Sequence, residues 1–574
     1  MALHPDVQRQ LDRLTPDQRA AATAPPGPVL CLAPAGSGKT TTLVARIAWL
    51  VATGTAADRI AAIAFNTRAA DELVGRVDAA LAPLGVEAGT VRVRTFHAFG
   101  REILRAAGQS VEPLIDRDAL IRQVAPWADA TERRRLDTTF STLKLEHRVH
   151  PDAIRDDPEA GRRARAFVAY EDALEATGGL DFDDLVARVL GLLQADPSIL
   201  ATWRTACREL LVDEVQDVDR SQLELALQLA APDHRIFLVG DDDQSIYGWR
   251  LADVRRVLDL AARLPGLRRT DLVTNFRCPA PVVERAVRLV EHNVERFAKR
   301  ISARPGAVGR IVLAPDGADD DDRVRHVLAA WTAAGDPDGS TQAILARTNR
   351  ELLPAAAVAL EAGIPFRAER LDLPLDDPRL EAILADLANG DPGEAPLLRL
   401  GRLRTRLAAA APIPSTPDPA ASTAVDRGLA VDRSEATVDG SPDPIPVGDL
   451  VAAVLAWAAG YRDMASFVAA VRDRRSRLEA LRRADASLTL ATAHSTKGLE
   501  FDHVAVIDMD DGRFPSQRSL DDADDPARAL EEERRLGYVA WTRARRSLTL
   551  VYDPAAPSVF LREAFTAGEL GLSD

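Results

Sequence analysis

The chain has 574 residues, 46% hydrophobic and 28% charged, with a formal net charge of −15. That balance fits a folded protein of about three or four domains and excludes both a mainly disordered chain and a polybasic protein that coats nucleic acid by bulk charge. Three cysteines, Cys31, Cys207 and Cys278, never spaced as CxxC, exclude a disulfide scaffold, a zinc ribbon and a four-thiolate iron–sulfur cluster.

The N-terminal stretch MALHPDVQRQLDRL lacks the zones of a signal peptide. The longest apolar run, 450–459, is about half of what a bilayer span needs. A cytoplasmic protein without a membrane partner is expected. From there the elements alternate. Short apolar runs at 28–32, 60–65, 210–212, 236–239, 309–313, 342–345, 488–491 and 503–507 read as buried strands, and periodic stretches such as 40–52 and 69–81 read as helices. This is α/β architecture with mainly parallel sheets flanked by helices. Between about 100 and 190 the strand signals vanish, which predicts a helical insertion. Residues 411–446, rich in Pro, Ser, Thr and Asp, read as a linker or extended loop, followed by amphipathic helices near 448–459 and 463–483. The acidic runs 319–322 and 521–525 read as solvated loops.

Only four lysines occur, Lys39, Lys144, Lys299 and Lys497. Lys39 and Lys497 fall inside motifs. Residues 33–40 (APAGSGKT) follow a strand and open a helix, the context that a phosphate-binding loop requires. There Ala35, Gly36, Ser37 and Gly38 would turn backbone N–H groups toward phosphate. Lys39 would reach the β- and γ-phosphates, the Thr40 hydroxyl would ligate Mg²⁺, and Thr41 would complete the ATP-binding run. Residues 210–217 (LLVDEVQD) end a strand in adjacent carboxylates. Asp213 would hold Mg²⁺ and Glu214 would act on the attacking water as general base. The two motifs together predict a nucleoside triphosphatase using ATP and Mg²⁺.

Further segments appear in one order: 14–18 (LTPDQ), 65–70 (FNTRAA), 95–99 (TFHAF), 179–185 (GLDFDDL), 213–217 (DEVQD), 239–250 (VGDDDQSIYGWR), 275–277 (NFR), 492–501 (TAHSTKGLEF) and 531–544 (EEERRLGYVAWTRA). They resemble the motifs of the UvrD/Rep/PcrA group of superfamily 1 DNA helicases over most of 10–390 and 485–565. The resemblance implies two RecA-like P-loop NTPase domains with helical insertions: the first domain as 1–98 and 191–277, an insertion at 99–190, the second domain as 278–390 and 485–574, and a shortened accessory insertion at 391–484. It also implies that Gln18 reads adenine, Phe276 stacks on it, Glu500 meets the ribose and Gln244 senses the γ-phosphate. Arg277 and Arg543 would act as arginine fingers. Phe65, Thr67, His97, Tyr247, Trp249, Arg250 and His494 would contact DNA, of which Tyr247 is the strongest candidate for plain core packing. Asp181, Asp183 and Asp184 read equally as helix caps.

Three departures stand out. Asn66-Thr-Arg68 replaces the group's usual Thr-Asn-Lys, the accessory insertion is short, and residues 548–558 run straight into 560–563 where the group has a longer, strand-separating β-hairpin with an aromatic tip. The resemblance implies an ATP-dependent DNA helicase or translocase moving 3′ to 5′ on single-stranded DNA or at a single/double-strand junction, in repair or recombination. The alternatives are the motor or sensor subunit of a nuclease or anti-phage complex, with a nuclease or repair protein as partner, and a non-catalytic nucleic-acid-binding scaffold.

Overall fold

A computed structural model of the chain describes residues 3–335, 339–369, 371, 373–388, 401, 450, 454, 457, 458, 460, 461 and 463–572. The expected linker at 411–446 lies outside the described residues, as does most of the helix expected at 448–459. The helix expected at 463–483 is Met464–Leu481.

Fourteen strands form among the described residues. β1 (Val29–Leu32), β2 (Ile60–Ala64), β3 (Arg92–Thr95), β4 (Glu209–Val212), β5 (Ile236–Gly240) and β6 (Arg268–Asp271) make one parallel sheet, in the order β3-β2-β4-β5-β1-β6. β7 (Thr274–Asn275) and β8 (Ser302–Ala303) pair beside it. β9 (Arg310–Pro315), β10 (Gln342–Ala346), β11 (Phe366–Arg367), β12 (Leu488–Thr492), β13 (Phe501–Val506) and β14 (Ala544–Tyr552) make a second parallel sheet, in the order β11-β12-β10-β13-β14-β9.

The central strands of the first sheet are apolar at nearly every position because both faces are covered; the exception is Glu209, which opens β4 and pairs with Arg235. Leu30 and Leu32 of β1 and Leu210 and Val212 of β4 join one core layer; Val29, Cys31 and Leu211 join the layer on the opposite face. All three cysteines are free thiols and buried. β3 and β6 read as polar stretches, RVRT and RRTD, since each lies at an edge with one side unpaired.

The chain divides into two compact units, Met1–Val308 with Ala523–Thr542, and Gly309–Asp522 with Arg543–Asp574. This moves the expected boundary from 277/278 to 308/309. It also gives helix Pro526–Trp541, expected in the second domain, to the first unit. The insertion expected at 99–190 is narrower than its helical content indicated. Helices Phe96–Ala106 and Asp184–Ala195 pack into the core of the first sheet, and a Cβ on Gly100 would lie 2.0 Å from the Leu185 carbonyl oxygen. A separate small core of Leu120, Leu136, Phe140, Phe167 and Tyr170 marks the insertion proper. At its base Lys144 is buried among Glu171, Asp181 and Asp184, and Arg117 reaches Asp181 and Asp183. Asp181 also caps helix Asp184–Ala195 by accepting from the Asp184 N–H at 2.9 Å.

The first acidic run starts a helix, and the second runs from the end of helix Gln517–Asp521 to the cap of the next. Asp319 caps Asp320–Ala333 and Asp525 caps Pro526–Trp541, where carboxylates meet the positive end of the helix dipole. No single helix among the described residues is long and apolar enough to cross a membrane. One pair, Asp184–Ala195 with Pro197–Ala206, passes by length and composition but bends by 114°, and its first helix buries Val186, Val189 and Leu190 in the core.

Candidate nucleotide and nucleic-acid site

β5 lies between β1 and β4. The loop leaving its carboxyl end therefore emerges between the phosphate loop after β1 and the carboxylates after β4, the place where open parallel sheets bind ligands. Gly38 caps helix Lys39–Ala52 at φ 81°, and Gly36 has φ 67°. A Cβ on Gly36 would come within 2.7 Å of Arg277 Cβ, and one on Gly38 within 2.7 Å of Gln18 Nε2, so conformation and space both demand glycine. Ser37 Oγ is buried with no partner among the described residues. A buried orphan hydroxyl fits a loop shaped around a phosphate.

Lys39 Nζ lies 2.9 Å from the Glu214 carboxylate. Burial disfavours the ammonium, but Glu214, Asp213 and Asp241 outweigh it and hold the Lys39 pKa above its ordinary value. Glu214 takes the left-handed conformation, φ 50° and ψ 44°, which costs a side chain with a Cβ about 1 kcal/mol or more and is typical of functional positions. Asp213 Oδ1 accepts from the Glu214 N–H at 2.9 Å.

Gln216 extends this pair. Its Nε2 donates to Glu214 (2.6 Å) and Asp217 (3.0 Å), and its Oε1 accepts from the Asp241 N–H (3.0 Å). Asp241 Oδ2 in turn accepts from the Ala35 N–H (3.1 Å) and from Gln244 Nε2 (2.6 Å). A continuous polar chain thus runs Lys39–Glu214–Gln216–Asp241–Gln244. Asp241 and Gln216 lie in the motif segments but had no assigned role.

Several expected nucleotide residues stand differently. The Ala35 amide donates to Asp241 Oδ2. Thr41 is exposed and accepts from Arg76 at 3.0 Å. Gln18 caps its own helix, accepting from the Thr15 N–H (3.1 Å), and donates to the Ser37 carbonyl (2.8 Å), tying the loop from behind. Arg277, at the expected end of the first domain, lies in the first unit: the Phe276 N–H donates to the Gly36 carbonyl at 2.8 Å, which places this segment against the phosphate loop. Asn275 organises it, with its buried Oδ1 accepting from the N–H groups of Arg277 and Cys278, each at 2.8 Å. Arg277 itself donates to the Thr542 carbonyl at 3.3 Å. Phe276 is 40% exposed, available for stacking. In the second unit Arg543 is buried and donates to the Leu499 carbonyl at 3.1 Å, and Glu500 pairs with Arg545 at 3.4 Å.

The expected aromatic contacts gather into one cluster. Phe65 stacks on Tyr247 with ring centroids 5.1 Å apart, Trp249 meets Tyr247 edge-on at 6.0 Å, and the Arg250 guanidinium lies 5.0 Å from the Trp249 ring. Trp249 is 40% exposed, whereas Tyr247 is buried and serves as its support. Thr67 opens helix Thr67–Leu81, and His97 sits edge-on to Phe182 at 5.9 Å. His494 lies in the second unit, where burial, with Arg347 and Lys497 nearby, pushes its pKa down to about 3. Its surroundings thus favour the neutral imidazole. No group of three or more His, Cys, Asp or Glu side chains arranged to hold a metal occurs among the described residues.

A phosphate loop after β1, a carboxylate pair after β4 and a glutamine after the strand between them define a P-loop nucleoside triphosphatase of the RecA-like type. The model of the UvrD/REP helicase N-terminal domain matches residues 14–265, and that of the UvrD-like helicase C-terminal domain matches 459–554. Together they span more than half of the chain, which belongs to the UvrD/Rep/PcrA-type family of superfamily 1 helicases. It is similar to DNA helicase II of Escherichia coli (strain K12), 28% identical over 622 residues, with 95% of this chain and 85% of that protein covered. ATP-dependent DNA helicase Rep of the same organism is also 28% identical, with 94% and 90% covered. ATP-dependent DNA helicase UvrD1 of Mycobacterium tuberculosis (strain ATCC 25618 / H37Rv) is 28% identical, with 94% and 82% covered.

Proposed function

We propose that this chain is an ATP-dependent DNA helicase or translocase that moves 3′ to 5′ on single-stranded DNA in the cytoplasm, in repair or recombination. The observation that carries this reading is a single loop, 241–250. At its start Asp241 is bonded both to the Ala35 amide of the phosphate loop and to the Gln244 side chain; at its end Tyr247, Trp249 and Arg250 form the aromatic cluster. A base stacked on that cluster would pull on the segment that touches the γ-phosphate sensor.

In this reading Lys39 binds the β- and γ-phosphates, Glu214 takes the proton of the attacking water, and Arg277 stabilises the charge that spreads over the transferring phosphoryl oxygens. The remaining N–H of Gln18 and the exposed Phe276 ring suit the edge and the face of adenine. Thr40 and Asp213 are hard oxygen donors that fit Mg²⁺ beside a triphosphate, and the ion when bound would offset phosphate charge. Trp249 with Arg250 suits sequence-tolerant stacking on single strands. The connection 553–558, between β14 and helix Val559–Ala564, is short, which favours translocation over processive unwinding.

The test is steady-state ATP hydrolysis with and without single-stranded DNA at fixed salt, since phosphate contacts weaken steeply as salt rises. Strong stimulation by DNA is expected. Hydrolysis that DNA leaves unmoved would refute coupling through the 241–250 loop.

A further inference from the structure

Three consecutive carboxylates, Asp241, Asp242 and Asp243, are wholly buried, and Lys299, 1% exposed, sits among all three. Its Nζ lies 2.7 Å from Asp241 and 2.9 Å from Asp243, and it also bonds Asp242. Arg296 adds a two-pronged pair to Asp243, both bonds 2.9 Å, and the Phe297 N–H donates to Asp242 at 2.8 Å. Burial disfavours the Lys299 ammonium, but the three carboxylates more than compensate and raise its pKa. The segment that carries these cations is anchored on its other side. Glu531 accepts from the N–H groups of Val294 (2.8 Å) and Glu295 (3.1 Å), and Asn293 donates to the Glu531 carbonyl (3.0 Å).

A buried ionic cluster is a poor source of net stability, because desolvation of each charge offsets most of the attraction. What it supplies is a unique arrangement. Asp241 is the carboxylate that holds the Ala35 amide of the phosphate loop and the Gln244 side chain, so its position decides where both point.

We propose that Lys299, assisted by Arg296, is a positioning residue for DNA-stimulated ATP hydrolysis: clamping the three carboxylates, it fixes Asp241 and through it the sensor Gln244 and the start of the loop that carries the aromatic cluster. The proposal rests on the motor reading above. Without this cation, Asp241 would lie next to Asp242, left with no cation of its own, and Asp243, held by Arg296 alone, and would leave Ala35 and Gln244 for solvent or for another donor.

The experiment compares full-length wild type, Lys299→Gln, Lys299→Arg and Arg296→Gln. It measures kcat and KM for ATP at saturating single-stranded DNA, DNA affinity by fluorescence anisotropy, and thermal unfolding. Misplacing a group that aligns the reacting parts lowers rate on the order of ten- to a hundredfold. That fall is expected in the DNA-stimulated kcat of Lys299→Gln, with KM for ATP and DNA affinity within about threefold of wild type. Lys299→Arg should restore most of the rate. Arg296→Gln, which leaves Lys299 in place, should show a smaller change of the same kind, and it carries the test if Lys299→Gln fails to fold. Wild-type kcat in the folded variants, or a loss that only tracks the melting temperature, would overturn the proposal. Absence of DNA stimulation in the wild type would refute the motor reading instead, which separates the two failures.

Discussion

Replacing Glu214 by Gln removes one charge from the centre of the polar chain while keeping its shape. At 2.9 Å and an effective dielectric of about 20, the gross attraction between Lys39 and Glu214 is about 6 kcal/mol. Taking both partners out of water offsets most of that, leaving on the order of 1 kcal/mol of net stability. The Gln carbonyl can still accept from Gln216, and Asp213 and Asp241 still face Lys39. Unfolding should therefore shift by no more than a few degrees, and ATP binding should persist. Turnover should fall further. A lost general base costs roughly 10²- to 10⁴-fold, or about 3–5 kcal/mol of barrier. The assay pairs equilibrium binding of a fluorescent ATP analogue with single-turnover hydrolysis at saturating single-stranded DNA. A variant within about threefold of the wild-type rate would remove Glu214 from the chemistry, and the strained backbone at that position would need another explanation.

Two other outcomes follow from the geometry. Trp249→Ala should weaken single-strand binding by about 1–3 kcal/mol, the scale of one base–aromatic stack, with little loss of stability because the ring is half exposed; anisotropy titrations at two salt concentrations check this, and unchanged affinity would dismiss the stacking role. Asp508, buried next to Asp320, Glu351 and Asp510 despite its bond to Arg513, has a pKa raised to about 7 against an ordinary 3.8. The folded state therefore holds this proton more tightly than the unfolded state. Its stabilising contribution is full below about pH 4 and is lost as pH rises toward 7. Asp508→Asn, which tolerates the left-handed backbone at φ 58°, should gain stability over wild type as pH rises across that window; a difference independent of pH in parallel melts would refute the assignment.

Much of the nucleotide site was legible because its chemistry is local. Phosphate binding needs glycines, a lysine and a hydroxyl within a few residues of one strand end, and 33–40 carries them in order. The eight expected strands all form: seven lie inside their sheets, where covered faces favour apolar runs, and the eighth, β9, stands at an edge but keeps the apolar run Ile311–Ala314. β3 and β6 were missed because an edge strand can spend its side chains on solvent. β14 was missed because its start, Ala544–Arg545–Arg546, is charged, although its later residues are buried in the second sheet.

What sequence alone determined is therefore the class of chemistry: an ATP-hydrolysing motor of a known group, with Lys39, Thr40, Asp213, Glu214 and Gln244 in fixed local settings. Tertiary structure decided which unit each distant residue serves. Arg277 and helix Pro526–Trp541 belong with the phosphate loop, Ala35 gives its amide to a carboxylate 206 residues away, and Lys299 closes over Asp241, Asp242 and Asp243. The reason is physical. A strand or a glycine turn is specified by neighbours in the chain, whereas the partner of a buried charge is whatever the packing of separate segments brings within about 3 Å, and spacing along the sequence does not encode that.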